Sequence, residues 1–281
     1  AKLAFADREK FYGDSLGKGV PLEVLLSDDY NSKRHGLISD DASFEFRPGN
    51  IDGYETDIDY ASLIAENTAQ IPSFIGIGEP TMAKVADVRG DTCHLDVIDR
   101  HGNMVSATPS GGWLQSSPVI PELGFCLNSR GQMFWLEEGL SASLMPGKRP
   151  RTTLTPSLAL KDGTPYMAFG TPGGDQQDQW QPIFFLRHLH YGMNLQEAID
   201  APSFHNNHMP SSFYPRMAAP GNLSIESRFS RETLTELERR GHHISVVDGW
   251  SEGRMSAASV ANGILRAAAN PRGMQGYAVG R

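Results

Sequence analysis

Two predicted hairpins restrict most strongly what this chain can fold into. In the first, Leu95 and Val97 alternate with His94 and Asp96, and a turn through Gly102 leads into a second short strand. Alternation with a period of two is typical of half-buried strands, and a Gly-containing turn between two such strands indicates a hairpin. A second unit of this kind follows later in the chain. The predicted hairpins pair residues 93–98 with 104–108 and residues 157–160 with 166–169.

Helix start and end signals follow the second hairpin. Asn194 with Glu197 three residues later forms a capping box, and Ser230 caps a helix that ends before Gly241. Two hairpins followed by helices and further strands predict an α+β fold, with helices packed on antiparallel sheets. The predicted helices cover residues 28–34 (capped by Ser27), 61–69, 181–190, 195–201 and 231–240, and the late strands cover residues 244–247 and 257–262.

Composition excludes several classes of protein. A chain of 281 residues with 39% hydrophobic and 21% charged residues can bury a core, as one large domain or two small ones. The net charge of −8 disfavours a nonspecific nucleic-acid binder and adhesion to an anionic membrane. No apolar run approaches the roughly 18 residues of a membrane span. The two cysteines exclude a disulfide scaffold, while one disulfide stays possible, so the redox compartment is undecided.

Residues 39–90 form a long segment with little periodicity, in which Gly and Pro recur. Irregular segments of this length are uncommon inside compact domains and are usually functional or mobile. The chain also begins without Met on a helix-like stretch, which predicts that it is the later part of a longer precursor. The compartment therefore cannot be inferred from this N-terminus.

Several possible cofactor motifs fail on inspection. Gly76 and Gly78 form half of a dinucleotide fingerprint, but Pro80 follows where a helix should begin. His205 and His208 have ligand-like spacing, but Pro202 and Pro210 flank them and no third ligand is in view, so a zinc site is disfavoured. The sequence therefore predicts neither a metal nor a cofactor.

Thr92 lies where the irregular segment meets the first predicted strand. A threonine that opens a strand is common and needs no function. However, its hydroxyl could attack the carbonyl of Asp91, and water would resolve the resulting ester. The released α-amine has an ordinary pKa of about 7.7–8.0, so it could serve as the base that activates the same hydroxyl. Asp91–Thr92 is therefore a candidate self-cleavage site.

Two further segments have both a structural and a chemical interpretation. Gly173 and Gly174 follow a predicted strand, where they form either a turn or an oxyanion hole built from bare backbone N–H groups. Thr152 and Thr153 lie in a basic stretch, which is either a solvated loop or a clamp for a substrate carboxylate.

The order and spacing of these motifs resemble the γ-glutamyltransferase family of N-terminal nucleophile hydrolases. The resemblance implies a four-layer αββα sandwich, self-cleavage before Thr92, and a division into residues 1–91, the end of a large subunit, and residues 92–281, the small catalytic subunit. It also implies roles for individual residues. Thr92 would be the nucleophile, Ser110 its hydroxyl partner with Thr108 nearby, Gly173 and Gly174 the oxyanion hole, and Thr152 and Thr153 the carboxylate site. The motifs are Thr92-Cys93-His94, Gly102-Asn103, Lys148-Arg149-Pro150, Pro172-Gly173-Gly174, Tyr191-Gly192-Met193-Asn194 and Ala201-Pro202.

One departure from the family pattern bears on the substrate. The family holds the donor's α-amino group with Asn, Gln and Asp, where this chain has Gly112, Arg130 and Met133. A cation near an ammonium is repulsive, whereas it attracts a carboxylate. The alternatives are therefore γ-glutamyl amides such as glutathione, glutaryl or other acyl amides as in cephalosporin-acylase-like members, or an unprocessed, inactive fragment. The expected partners are a small amide or peptide substrate and the rest of the large subunit, with a homo-oligomer possible and neither nucleic acid nor membrane.

Overall fold

The computed structural model describes residues 1–14, 18–67, 92–111, 117–214, 216–272 and 276–280. The helices are α1 (Lys2–Phe11), α2 (Leu22–Leu25), α3 (Asp28–His35), α4 (Tyr60–Asn67), α5 (Gln177–Leu189), α6 (Leu195–Asp200) and α7 (Arg231–Arg239). The strands are β1 (Leu95–Ile98), β2 (Met104–Ala107), β3 (Val119–Ile120), β4 (Phe125–Cys126), β5 (Ser157–Lys161), β6 (Thr164–Gly170), β7 (Phe204–Asn206), β8 (Asn222–Glu226), β9 (His243–Val247), β10 (Ser256–Ala261) and β11 (Ile264–Ala269). The fold is α+β, as the sequence predicts.

The central sheet is antiparallel and has the strand order β11-β10-β6-β5. Its two faces differ because side chains alternate along β6. Met167 and Phe169 pack with Trp180 and Phe184 of α5 in the main core. The small residues of the other face, such as Gly170, lie under the β1–β2 hairpin, which contacts β10, β6 and β5. The hairpin, the central sheet and the helices packed on it therefore form three successive layers.

A second sheet, β7-β8-β9, contains a pair that the sequence interpretation did not foresee. The expectation was antiparallel sheets, but β8 and β9 are parallel. Helix α7 lies between them in the chain and contacts β9. Parallel neighbours need such a crossover, whereas antiparallel neighbours can be joined by a tight turn.

The predicted element boundaries are largely confirmed. Both hairpins form, Ser27 and Ser230 accept hydrogen bonds from the first turns of α3 and α7, and Asn194 forms the predicted capping box. The predicted start of helix α5 at residue 181 is wrong. The helix begins at Gln177, since the glycine turn leads directly into it through a short 3-10 helix, Gly174–Gln176.

The N-terminal segment shares cores with the later chain. Phe5 and Ala6 of α1 pack with Ile64, Met209 and Ala218. The segment at residues 39–59 is irregular, as predicted, and residues 68–91 lie outside the described ranges. The division into residues 1–91 and 92–281 stays a prediction. Among the described helices, none is long and apolar enough to cross a membrane.

Candidate active site

Thr92 lies just before β1 and contacts the opposite arm of the hairpin. Its Oγ1 is 2.5 Å from Oγ of Ser110. The pairing of the two arms continues past the strand ends, because the N–H of Cys93 donates to the carbonyl of Pro109 at 3.2 Å. This register places residues 92 and 110 on one face of the hairpin, which turns towards the central sheet. The two hydroxyls that the sequence singled out are therefore brought together.

His94 and Asp96 continue this face and connect it to the central sheet. Nδ1 of His94 is 2.7 Å from Oγ1 of Thr108, and its Nε2 is 3.0 Å from the Asp96 carboxylate. Asp96 also accepts a hydrogen bond from Ser256 of β10 at 2.8 Å. The side chains of His94 and Asp96 are each only 2% exposed. The sequence interpretation named His94 within a motif but missed Asp96, although their two-residue spacing signals a shared strand face.

The glycine turn after β6 begins at the cleft that Thr92 lines. Pro172 and Thr92 line one cleft of about 330 Å³. Gly173 and Gly174 have φ angles of 138° and 54°, in the region that favours glycine. A Cβ on Gly173 would lie 2.6 Å from the Trp180 ring. The turn thus needs glycine for both conformation and space.

Thr152 and Thr153 lie in the segment before β5, next to the start of α5. Thr153 is 1% exposed, and its Oγ1 has no hydrogen-bond partner among the described residues. Thr152 is exposed, and its Oγ1 accepts from the N–H of Leu154. The segment is held against α5 because the N–H of Thr155 donates to Oε1 of Gln177 at 3.2 Å. Thr153 therefore presents a buried hydroxyl without a hydrogen-bond partner in the described part of the chain.

Arg130 and Met133 lie in a short 3-10 helix, Ser129–Met133, that is attached to the hairpin end. The N–H of Ser129 donates to the carbonyl of Gly111 at 3.0 Å, directly after Ser110. Arg130 is 4% exposed and Met133 is fully buried, with the Arg130 guanidinium 5.7 Å from the Phe213 ring centre. The remaining candidates, Gly112 and Asp91, lie outside the described residues.

His205 and His208, which have ligand-like spacing in the sequence, make different structural contacts. Nδ1 of His205 is 2.5 Å from the Glu252 carboxylate, whereas His208 bonds the backbone at Glu45 and Gly221. Within the described ranges, no cluster of three His, Cys, Asp or Glu side chains could hold a metal ion. Cys93 and Cys126 are both free thiols, so the disulfide that the composition left possible does not form between them.

Comparison with known proteins places this chain in a family. A family model described as gamma-glutamyltranspeptidase matches residues 1–280. The chain belongs to the γ-glutamyltranspeptidase family. One curated relative in the family, the glutathione hydrolase-like YwrD proenzyme of Bacillus subtilis, is 35% identical over 283 aligned residues, which are 99% of this chain and 45% of that protein.

Solved structures show the same fold for this γ-glutamyltranspeptidase family member. A structure of LmbA2991 superposes with a TM-score of 0.86 and 56% identity, over 100% of this chain and 47% of that one. The cephalosporin acylase of Bacillus halodurans superposes with a TM-score of 0.73 and 26% identity, over 99% of this chain and 43% of that one. The chain thus spans about half the length of the relatives it matches.

Proposed function

We propose that this chain carries the catalytic part of an enzyme that cleaves itself before Thr92 and then transfers or hydrolyses γ-glutamyl amides, such as glutathione, through a threonyl ester. The observation that carries the proposal is the 2.5 Å contact between the Thr92 and Ser110 hydroxyls. This contact holds Oγ1 of Thr92 in one orientation at the end of the hairpin, in a cleft that is also lined by Pro172, the residue before the two glycines. A fixed nucleophile near bare backbone donors is the arrangement that acyl transfer needs.

The cleavage step uses only groups of the chain and one water. Oγ1 of Thr92 attacks the carbonyl carbon of Asp91, and the peptide C–N bond breaks as the nitrogen takes up a proton. The resulting ester is hydrolysed by water, which leaves a carboxylate on Asp91 and a free α-amine on Thr92. That amine has an ordinary pKa of about 7.7–8.0, so a fraction of it is unprotonated near neutral pH and can act as the base.

The turnover step repeats this chemistry on a substrate amide. The α-amine accepts the proton of Oγ1 while the oxygen attacks the amide carbonyl, and the amine passes the proton to the leaving nitrogen. The N–H groups of Gly173 and Gly174 stabilise the negative oxygen of the tetrahedral intermediate. Water or an acceptor amine then releases the acyl group. Thr153 offers its unpartnered hydroxyl to the donor carboxylate.

N-terminal sequencing tests self-cleavage directly. Protein expressed from its whole reading frame should yield a polypeptide that begins Thr-Cys-His-Leu, and Thr92→Ala should remain uncut. Thr92→Ser is the matched control, because it keeps a hydroxyl and should still be cut. An uncut wild-type protein, identical to Thr92→Ala on a denaturing gel, would instead favour the unprocessed, inactive alternative.

A second candidate is an acyl amidase whose donor carries no α-amino group, such as a glutaryl amide. Arg130 and Met133 favour it, because a buried guanidinium and an apolar side chain lie where the family pattern has groups suited to an ammonium ion. The two candidates differ in the ratio of kcat/KM for γ-glutamyl and glutaryl anilides. Arg130→Gln should raise this ratio, whereas Met133→Leu, which adds no polarity, should not. A wild-type preference for γ-glutamyl would reject this second candidate.

The exposed outer face of the hairpin favours the rest of the large subunit as a binding partner. Leu95, Val97 and Val105 point away from the central sheet and are 46%, 52% and 51% exposed. Soluble proteins rarely leave such an apolar strip uncovered. We propose that the part of the precursor that this chain lacks covers this face and supplies the fourth layer.

A further inference from the structure

A partly buried ion pair joins the first helix to the residue that follows the glycine turn. One guanidinium nitrogen of Arg8, in α1, is 2.7 Å from the Asp175 carboxylate, and the other is 2.9 Å from the Asp178 carboxylate. The side chain of Arg8 is 14% exposed and that of Asp175 is 20% exposed. Asp175 directly follows Gly174 in the chain. Contacts that hold the Asp175 side chain therefore act one residue away from the glycine backbone.

Hydrogen bonds connect the Arg8–Asp175 pair to the segment that contains Thr152 and Thr153. Asp175 accepts hydrogen bonds from the N–H and the hydroxyl of Ser212 at 2.7 and 2.6 Å. Arg151 donates to this hydroxyl at 3.1 Å and to Glu9 of α1 at 2.8 Å. Because Arg151 directly precedes Thr152, helix α1 is bonded to both candidate substrate-binding segments. The two segments are thus held relative to each other by residues 8 and 9.

The charge on Asp175 depends on Arg8. Burial disfavours the carboxylate, but the Arg8 charge and the two hydrogen bonds from Ser212 outweigh burial, and the pKa of Asp175 lies below its ordinary value. Asp178 differs, because burial outweighs the Arg8 charge and raises the pKa of that carboxyl. Arg8 therefore acts together with Ser212 to keep the partly buried Asp175 ionised.

We propose that Arg8 is a positioning residue for the reaction: through Asp175 it fixes the Gly173–Gly174 donors, and through Glu9, Arg151 and Ser212 it fixes their distance from Thr152 and Thr153. The proposal rests on the proposed function, and it assigns the segment before the predicted cleavage point a role in turnover. Helix α1 thus acts on the oxyanion without contacting it. The paired donors are useful only where the negative oxygen develops, so their placement decides the rate.

Hydrogen exchange tests the positioning role without relying on activity. In protein expressed from its whole reading frame, Arg8→Ala should speed exchange of the backbone amides at residues 173–176, whereas the core of α5 and strand β10 stay unchanged. Asp178→Asn is the matched control, because it removes the second partner of Arg8 but keeps the Asp175 pair, and it should not speed exchange at those amides. Equal exchange in the two variants, or no change in Arg8→Ala, overturns the proposal. If Arg8→Ala does not fold, Arg8→Gln replaces it.

Kinetics provide the second measurement. Arg8→Ala should lower kcat by about tenfold to a hundredfold, as a misplacement near 1 Å does, with KM within about twofold. Without Arg8, burial raises the pKa of Asp175, so kcat should fall more steeply in acid than it does in wild type, where only protonation of the Thr92 α-amine lowers it. Arg8→Lys should recover part of kcat and Asp178→Asn should keep it. An unchanged pH profile, or equal loss in Arg8→Ala and Asp178→Asn, overturns the proposal. If wild type shows no activity dependent on Thr92, the proposed function fails, and hydrogen exchange alone decides the role of Arg8.

Discussion

The imidazole of His94 lies directly against the Cα of Gly170. A Cβ at position 170 would be 2.3 Å from Cε1 of His94, a distance that side chains do not tolerate. This contact sets how closely the hairpin approaches β6. It also sets the separation between Thr92, two residues before His94, and the glycine turn, which begins after Gly170.

Gly170→Ala should therefore lower stability. We expect a loss of about 1–3 kcal/mol in the free energy of unfolding, because the added methyl must displace a buried ring. Urea denaturation measures the loss. Gly131→Ala is the control, since nothing lies within 4 Å of a Cβ there. Equal midpoints for the two variants would contradict the close contact.

Ser110→Ala should slow both self-cleavage and turnover. The Thr92 hydroxyl would lose the partner that orients it, and a hydrogen bond of ordinary strength corresponds to roughly a tenfold loss in kcat. Ser110→Thr keeps a hydroxyl and should retain most of the rate. Measured kcat values for the two variants check this. A fully active Ser110→Ala enzyme would show that the contact has no catalytic role.

Thr153→Val should weaken substrate binding without lowering the free energy of unfolding. The Thr153 hydroxyl has no partner among the described residues, so its removal should leave the free energy of unfolding unchanged or slightly higher. If the hydroxyl binds the donor carboxylate, KM should rise about tenfold or more. Thr153→Ser retains the hydroxyl and serves as the control. A loss of stability with an unchanged KM would refute the binding role.

His208 should make the protein less stable in mild acid. Burial, with the Lys2 charge next, lowers the pKa of His208 to about 4. The unfolded state, with an ordinary pKa of about 6.5, binds the proton first, so stability falls as pH drops from there towards 4.

The His208 contribution is about 3 kcal/mol at most. The difference in unfolding free energy between wild type and His208→Gln should shrink as pH falls from about 7 to about 4.5. Urea denaturation at several pH values measures it. A constant difference would mean that His208 does not carry this dependence.

We expect residues 1–281, when expressed alone, to self-associate through the exposed face of the hairpin. Leu95, Val97 and Val105 form an apolar strip, and β1 pairs only with β2 among the described residues. Val97→Lys should reduce association, because a charge opposes burial of the strip. Leu136→Lys is the control, since Leu136 is 77% exposed outside this face. Size-exclusion chromatography at several concentrations measures the effect, and equal behaviour of both variants would contradict it.

Local signals predicted the local structure well. The hairpin around Gly102 and the caps at Ser230 and Asn194 depend on neighbours within a few residues, so sequence spacing contains the necessary information. The strand β11 was missed, although Asn262 and Gly263, with φ angles of 53° and 73°, form the turn that leads into it. Its alanine-rich run offers little alternation to detect.

The sequence by itself determined the family, the α+β class and the residues able to do the chemistry, because motif order and residue type are properties of the chain. The pairing of Thr92 with Ser110 follows from a hairpin that local signals predict, and the structure brings the two hydroxyls within 2.5 Å. Only the tertiary structure showed contacts between distant elements: Arg8 and Asp175 are 167 residues apart, yet they form an ion pair. Such contacts depend on strand register and layer packing, which no local pattern encodes, and the unpartnered hydroxyl of Thr153 is evident only once its surroundings are known.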